Sequence, residues 1–200
     1  MVDTGLSLFQ EGYRIGGATK PNRFKTMAKV LRVPEENDRW LREIFEHPTY
    51  DEYWKQEDAT LHFAEMNVPC FTIGSWYDYM NVGSIKSFVG RQHEGGSNSR
   101  GQQQLLLGPW LHGRYNKSRP EVGELTYPDD STFDVKTHML RWFGHFRRGE
   151  DNGVEREPNV RYYVMGAAGE PGAPGNEWRE AADWPVPSEE ISYFLSGHRR

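Results

Sequence analysis

An α/β layer built on parallel strands is the fold class this sequence predicts, and three observations predict it. Two short apolar runs, residues 70–73 and 104–107, have the look of buried strands. Each leads through glycine and tryptophan to one polar residue: Gly74-Ser75-Trp76-Tyr77-Asp78 and Gly108-Pro109-Trp110-Leu111-His112. Between the runs, Val82, Ile85, Phe88 and Val89 recur at helical spacing from Asn81 to about residue 91. Two strands joined by a helix should be parallel, with a right-handed crossover. A strand that is apolar throughout is expected where both sheet faces are covered.

Taken in order, the chain changes character twice. Residues 1–60 read as helices after a glycine-rich start. Phe24, Met27, Ala28 and Leu31 share a helical face that Pro34 ends. Asn37 is a plausible N-cap for a second helix with Trp40, Leu41, Ile44 and Phe45, which Pro48 ends. Thr49 is expected to cap a short third helix carrying Tyr50, Tyr53 and Trp54.

Residues 61–150 hold the strand–helix–strand unit, with Gly95-Gly96-Ser97-Asn98-Ser99 as a polar turn inside it. A further helix follows. Asp129, Asp130 and Ser131 supply its start signal, Val135, Met139, Trp142, Phe143 and Phe146 its apolar stripe, and Gly149 its stop. Residues 151–200 turn β-like, with strands expected over 159–165 and 191–195. A loop rich in glycine and proline, 166–187, lies between them.

In open parallel sheets, reactive groups sit on loops at the carboxyl ends of strands. Asp78 and His112 both fall there, 34 residues apart. Neighbouring parallel strands lie about 4.8 Å apart, so one crossover unit can bring a carboxylate to an imidazole Nδ1. That contact fixes the tautomer in which Nε2 can take a proton from a nucleophile. The plainer uses are a turn or helix-capping role for Asp78 and a surface or satisfied core position for His112.

The two motifs resemble the Asp and His motifs of the cocaine esterase and X-prolyl dipeptidyl-peptidase family of α/β-hydrolases, which includes the α-amino-acid ester hydrolases. The resemblance continues in Arg141-Trp142-Phe143-Gly144-His145-Phe146, and in Pro158-Asn159-Val160-Arg161-Tyr162-Tyr163-Val164-Met165-Gly166. It extends through Trp178 and Asp183-Trp184-Pro185 to Tyr193-Phe194-Leu195. His47-Pro48-Thr49-Tyr50-Asp51-Glu52-Tyr53-Trp54 is similar to the end of the family's helical cap.

The resemblance implies the C-terminal part of an α/β-hydrolase fold (61–150). A helical cap remnant (1–60) would precede it, and the first strands of a jelly-roll β-domain (151–200) would follow. It implies a serine hydrolase of esters, amides or peptides working through an acyl-enzyme, with Asp78 as triad acid and His112 as triad base. Tyr77 and Trp110 become candidate substrate contacts, as do Tyr53 and Trp54, although packing is the simpler use of each. No cofactor is expected. The expected partner is a small ester, amide or peptide substrate, and a homo-oligomer is an option for a full-length protein.

The family's nucleophile is a serine on a Gly-x-Ser-x-Gly elbow upstream of the cap. This chain has no such motif. Gly95–Ser99 misses the last glycine and follows a helix, and Ser75 precedes the acid without an elbow. The expectation is therefore a fragment of a longer hydrolase, aggregation-prone and inactive when alone. The alternative is a non-catalytic or degenerate chain whose aromatics over 158–200 form a β-sandwich binding module. A metal site at His138 and His145, seven residues apart, lacks acidic or cysteine ligands at useful spacing.

Composition narrows the partners. Lys and Arg number 24 and Asp and Glu 29, a net charge of −5, which disfavours nucleic acid. No apolar run is long enough to predict a membrane span. The single cysteine, Cys70, cannot form an internal disulfide and reads as a small buried hydrophobe. Residues 1–20 lack the apolar core of a signal peptide, and localisation is left open.

Overall fold

The computed structural model describes residues 46–194, apart from 48, 57, 115–118 and 171. The two cap helices expected before residue 46 lie outside the described residues. The third is a short helix, α1 (Glu52–Lys55), and Asp51 caps it rather than Thr49. The Asp51 carboxylate accepts from the Tyr53 N–H and faces His47, whose hydrogen bond holds the carboxyl below its usual range. Trp54 is buried and donates Nε1–H to the His47 carbonyl.

The centre is a four-stranded sheet of residues 70–77, 103–111, 160–164 and 177–181, side by side in that order. Strand β1 (Cys70–Tyr77) leads into helix α2 (Asn81–Glu94) and then into β2 (Gln103–Leu111), parallel to β1. Both strands run four residues past the apolar runs that announced them. Eight of the nine residues of β2 are buried, as a strand covered on both faces requires. Leu105 and Leu107 meet Phe88 of α2 on one face. On the other, Leu106 and Trp110 meet Val135 of a third helix. Cys70 is only half-buried, at the start of edge strand β1.

The expected apolar faces of the helices need correction. Val82 of α2 points to solvent, while Phe88 is fully buried and Ile85 and Val89 partly so. After a two-residue hairpin, β3 (Glu121–Val122) with β4 (Leu125–Thr126), comes α3 (Val135–Arg148). Its N-cap is Asp134, accepting from the Thr137 N–H at 3.0 Å; Asp129–Ser131 form a separate 3-10 turn before it. Gly149 ends α3 in the left-handed region at φ 70°. The buried stripe of α3 is Val135, His138, Trp142 and Gly144, and Met139 and Phe143 are exposed.

A buried histidine on that stripe has a physical cause in its partners. His138 Nε2 lies 2.8 Å from Gln104 Oε1, and its Nδ1 lies 3.7 Å from Glu157. Burial pushes the imidazole pKa down, opposed by Glu157 and reinforced by Arg161 and Arg141. As pH falls below the ordinary histidine value of 6.5, the unfolded chain takes up the proton first, so stability should decline. Replacing His138 by glutamine should flatten that part of the profile, read as melting temperature between about pH 7 and pH 5. An unchanged slope would remove His138 as its source.

The region after Gly149 departs most from expectation. Its first strand, β5 (Val160–Val164), pairs parallel with β2, and β6 (Glu177–Ala181) pairs antiparallel with β5. The strand expected over 191–195 is not formed in its described residues, where Tyr193 and Phe194 are almost fully exposed. The actual partner, β6, lies inside the stretch expected to be loop. Arg161 of β5 binds Glu180 of β6 across the pair, and Asp183 beyond β6 pairs with His93 of α2.

Candidate active site

Asp78 and His112 come together because of an irregularity in the β1–β2 ladder. The register runs regularly from Cys70↔Gln103 to Ser75↔Gly108, then shifts so that Tyr77 faces Leu111. Two steps along β1 match three along β2. Continued without the shift, the ladder would set Asp78 opposite Leu111, one residue short of His112. The extra residue falls at Pro109-Trp110. Proline has no N–H to give a ladder, and inside a sheet it is tolerated at such bulges. The shift makes Asp78 and His112 each the next residue after a matched pair.

Their side chains meet, with His112 Nδ1 2.9 Å from Asp78 Oδ2. The other carboxylate oxygen, Oδ1, accepts from the Met80 N–H at 2.9 Å, and the Asp78 carbonyl accepts from the Asn81 N–H. Asp78 thus serves the turn and the imidazole at once, so its plainer use and its chemical use coexist. Its side chain is 14% exposed and that of His112 is 58% exposed. A fixed carboxylate therefore holds an imidazole whose Nε2 has no hydrogen bond among the described residues. Gly113 at φ 66° lets the chain reverse after His112, and the Arg114 N–H bonds back to the Leu111 carbonyl.

The surrounding aromatics are mostly committed to support. Trp76 donates Nε1–H to the Tyr163 carbonyl at 2.7 Å, tying the end of β1 to β5 across β2. The Tyr77 hydroxyl meets that of Tyr127 at 2.5 Å, and Tyr127 packs edge-on against Tyr163. Burial, then the bond to Tyr77, pushes the Tyr127 phenol well above its usual range. Burial, then Asp130, pushes Tyr163 up to about 12. Trp110 is 2% exposed and packs on Trp178. Tyr53 of α1 stacks on His47, which precedes that helix. Ser75 is buried within β1, and the Ser99 hydroxyl accepts from Gln103, so both are structural here.

Two neighbours were not foreseen. Tyr79 lies 5.6 Å from the His112 ring, centroid to centroid, and is itself largely exposed. Its signal was its place one residue after Asp78. Tyr127 had none, since 50 residues separate it from Tyr77. Among the described residues no group of three possible ligands could hold a metal. His145 Nδ1 is spent on the Glu150 carbonyl.

The sequence model of the X-Pro dipeptidyl-peptidase (S15) family matches residues 9–114. That of the X-Pro dipeptidyl-peptidase C-terminal non-catalytic domain matches residues 152–200. Cocaine esterase of Rhodococcus sp. (strain MB1 Bresler) is 27% identical over 160 residues, which are 78% of this chain and 25% of that protein. Two crystal structures of a CocE/NonD family hydrolase from Staphylococcus aureus share the fold. One has a TM-score of 0.56 at 17% identity, over 94% of this chain and 27% of that one. The other has a TM-score of 0.50 at 20% identity, over 76% of this chain and 22% of that one. The chain thus spans about a quarter of the length of these relatives.

Proposed function

This chain belongs to the X-Pro dipeptidyl-peptidase (S15) family, and from that premise we propose that it supplies the acid and base of a serine hydrolase acting on small esters, amides or peptides. The observation that carries the reading is the 2.9 Å contact between His112 Nδ1 and Asp78 Oδ2 at adjacent ends of parallel strands. With Nδ1 donating to the carboxylate, Nε2 is the nitrogen that takes the proton of an attacking serine hydroxyl. The carboxylate then stabilises the imidazolium, and the same nitrogen returns the proton to the leaving group. The acyl-enzyme would be hydrolysed by water activated in the same way. The serine and the oxyanion donors would come from chain outside these 200 residues.

On this reading residues 1–60 are the end of a helical cap and 61–150 the last part of the hydrolase domain. Residues 151–200 lead into a jelly-roll β-domain after first adding β5 and β6 to the hydrolase sheet. Tyr77 is proposed to shape the substrate pocket from the β1 side and Trp110 from the β2 side.

A fluorophosphonate tests the mechanism. In a protein joining this chain to a serine-bearing segment of the family, the reagent should modify one serine, and an ester substrate should protect it. The His112→Ala protein should stay unmodified under the same conditions. Labelling at the parent rate would remove His112 from the base role.

A further inference from the structure

The His112 side chain is 58% exposed, and among the described residues its ring has one hydrogen bond, from Nδ1 to the Asp78 carboxylate. One bond at one corner fixes where an imidazole is anchored, not how its plane is turned. The ring that faces this imidazole is Tyr79. The two centroids are 5.6 Å apart and the planes are tilted by 33°, an offset arrangement and not an edge-on one. Tyr79 is itself placed by Asp78. It lies in a turn that Asp78 closes twice, with Oδ1 accepting from the Met80 N–H at 2.9 Å and the carbonyl accepting from the Asn81 N–H at 3.1 Å. Helix α2 begins at Asn81, so the turn is anchored to a full helix. Asp78 thus holds the His112 ring by one carboxylate oxygen and the backbone beside Tyr79 by the other. The Tyr79 hydroxyl has no hydrogen bond among the described residues, and the residue is 66% exposed. Neither burial nor a polar contact accounts for an aromatic ring at this place.

We propose that Tyr79 is a positioning residue for the base: its π face restrains the plane of the His112 ring and stabilises the imidazolium that forms when Nε2 takes the serine proton. This role rests on the hydrolase reading above and adds a residue to it. A cation within about 6 Å of an aromatic centroid is drawn to the electron-rich face, and more strongly once water is excluded. The neutral imidazole gains little from the same face. The contact therefore strengthens as the proton moves, which is the condition for speeding the step and not merely tightening the resting state. The hydroxyl takes no part, so a plain phenyl ring can do the same.

The test uses the protein that joins this chain to a serine-bearing segment of the family. Tyr79→Leu keeps an apolar side chain and removes the π face. It should lower kcat on a p-nitrophenyl ester, and the rate of fluorophosphonate labelling, about threefold to tenfold with KM unchanged. Tyr79→Phe should keep both rates within about twofold of the parent. Tyr79 is largely exposed, so both variants should melt with the parent, which checks that they are folded. Leucine at the parent kcat, phenylalanine as slow as leucine, or a raised KM at the parent kcat would each overturn the proposal. Failure of the hydrolase reading has another signature, labelling that survives His112→Ala. Labelling that needs His112 but ignores Tyr79→Leu overturns the positioning role alone.

Discussion

Replacing Asp78 by asparagine, in a protein that also supplies the nucleophile, should lower kcat about 10⁴-fold and leave the fold in place. The size follows from the tautomer. Asp78 Oδ2 accepts from His112 Nδ1, which leaves Nε2 bare to receive a proton. An asparagine amide in the same place can donate to Nδ1 and so favours the opposite tautomer, with Nε2 already protonated. The imidazolium also loses its counter-charge. The turn loses little, because the remaining amide oxygen can accept from the Met80 N–H as Oδ1 does. Steady-state kinetics on a p-nitrophenyl ester, paired with a thermal melt, separates the two effects. An asparagine protein within about tenfold of the parent kcat would sink the assignment of Asp78 as triad acid.

Replacing Phe88 by alanine should cost about 3–5 kcal/mol of stability. Phe88 is 0% exposed and fills the space between α2 and the sheet, against Leu105, Leu107 and Val160. Alanine removes the transfer free energy of the ring and leaves a cavity whose walls are strand residues, unable to collapse far. Against a domain stability of about 5–15 kcal/mol, that is a large share. Urea unfolding should show a lower midpoint at an unchanged slope. Val82 is the matched control: it lies on the same helix but is 50% exposed, so alanine there should stay within about 0.5 kcal/mol of the parent. A loss at Phe88 below about 1 kcal/mol would show that the α2 face is not packed as described.

These expectations show which features were legible in the residues. The parallel pair and its connecting helix were, because continuous apolar runs joined by a helical period have few other solutions. The strand ends were not. Glycine and proline at positions 74, 108 and 109 signal a stop, yet β1 runs to Tyr77 and β2 to Leu111. A bulge accommodates Pro109, and glycine at 108 leaves room for the Trp110 ring, which a Cβ there would approach to 2.5 Å. Strand β6 was invisible for another reason. Glu177, Arg179 and Glu180 give it little apolar alternation, because it is an edge strand held by backbone pairing and by Arg161. His138 broke the helix pattern from within, since its burial depends on Gln104, distant in sequence.

Asp78 and His112 were legible as a pair because each closes a strand motif. Their meeting was not, because it depends on a one-residue shift in register that no spacing rule reveals. The aromatic supports were least legible, since Tyr127 and Tyr163 reach Tyr77 and Trp76 only through the folded sheet.

The pairing of β5 with β2, and the bond from Trp76 to the Tyr163 carbonyl, have a consequence for grafting. Sequence similarity draws a module border near residue 152, where the match to a non-catalytic domain begins. A chimera spliced there would inherit its β5 from a stranger, and with it the seat of the indole that steadies the strand below Asp78. Shuffling between relatives should therefore succeed more often with a crossover beyond Ala181, where the inherited unit keeps all four strands from one parent.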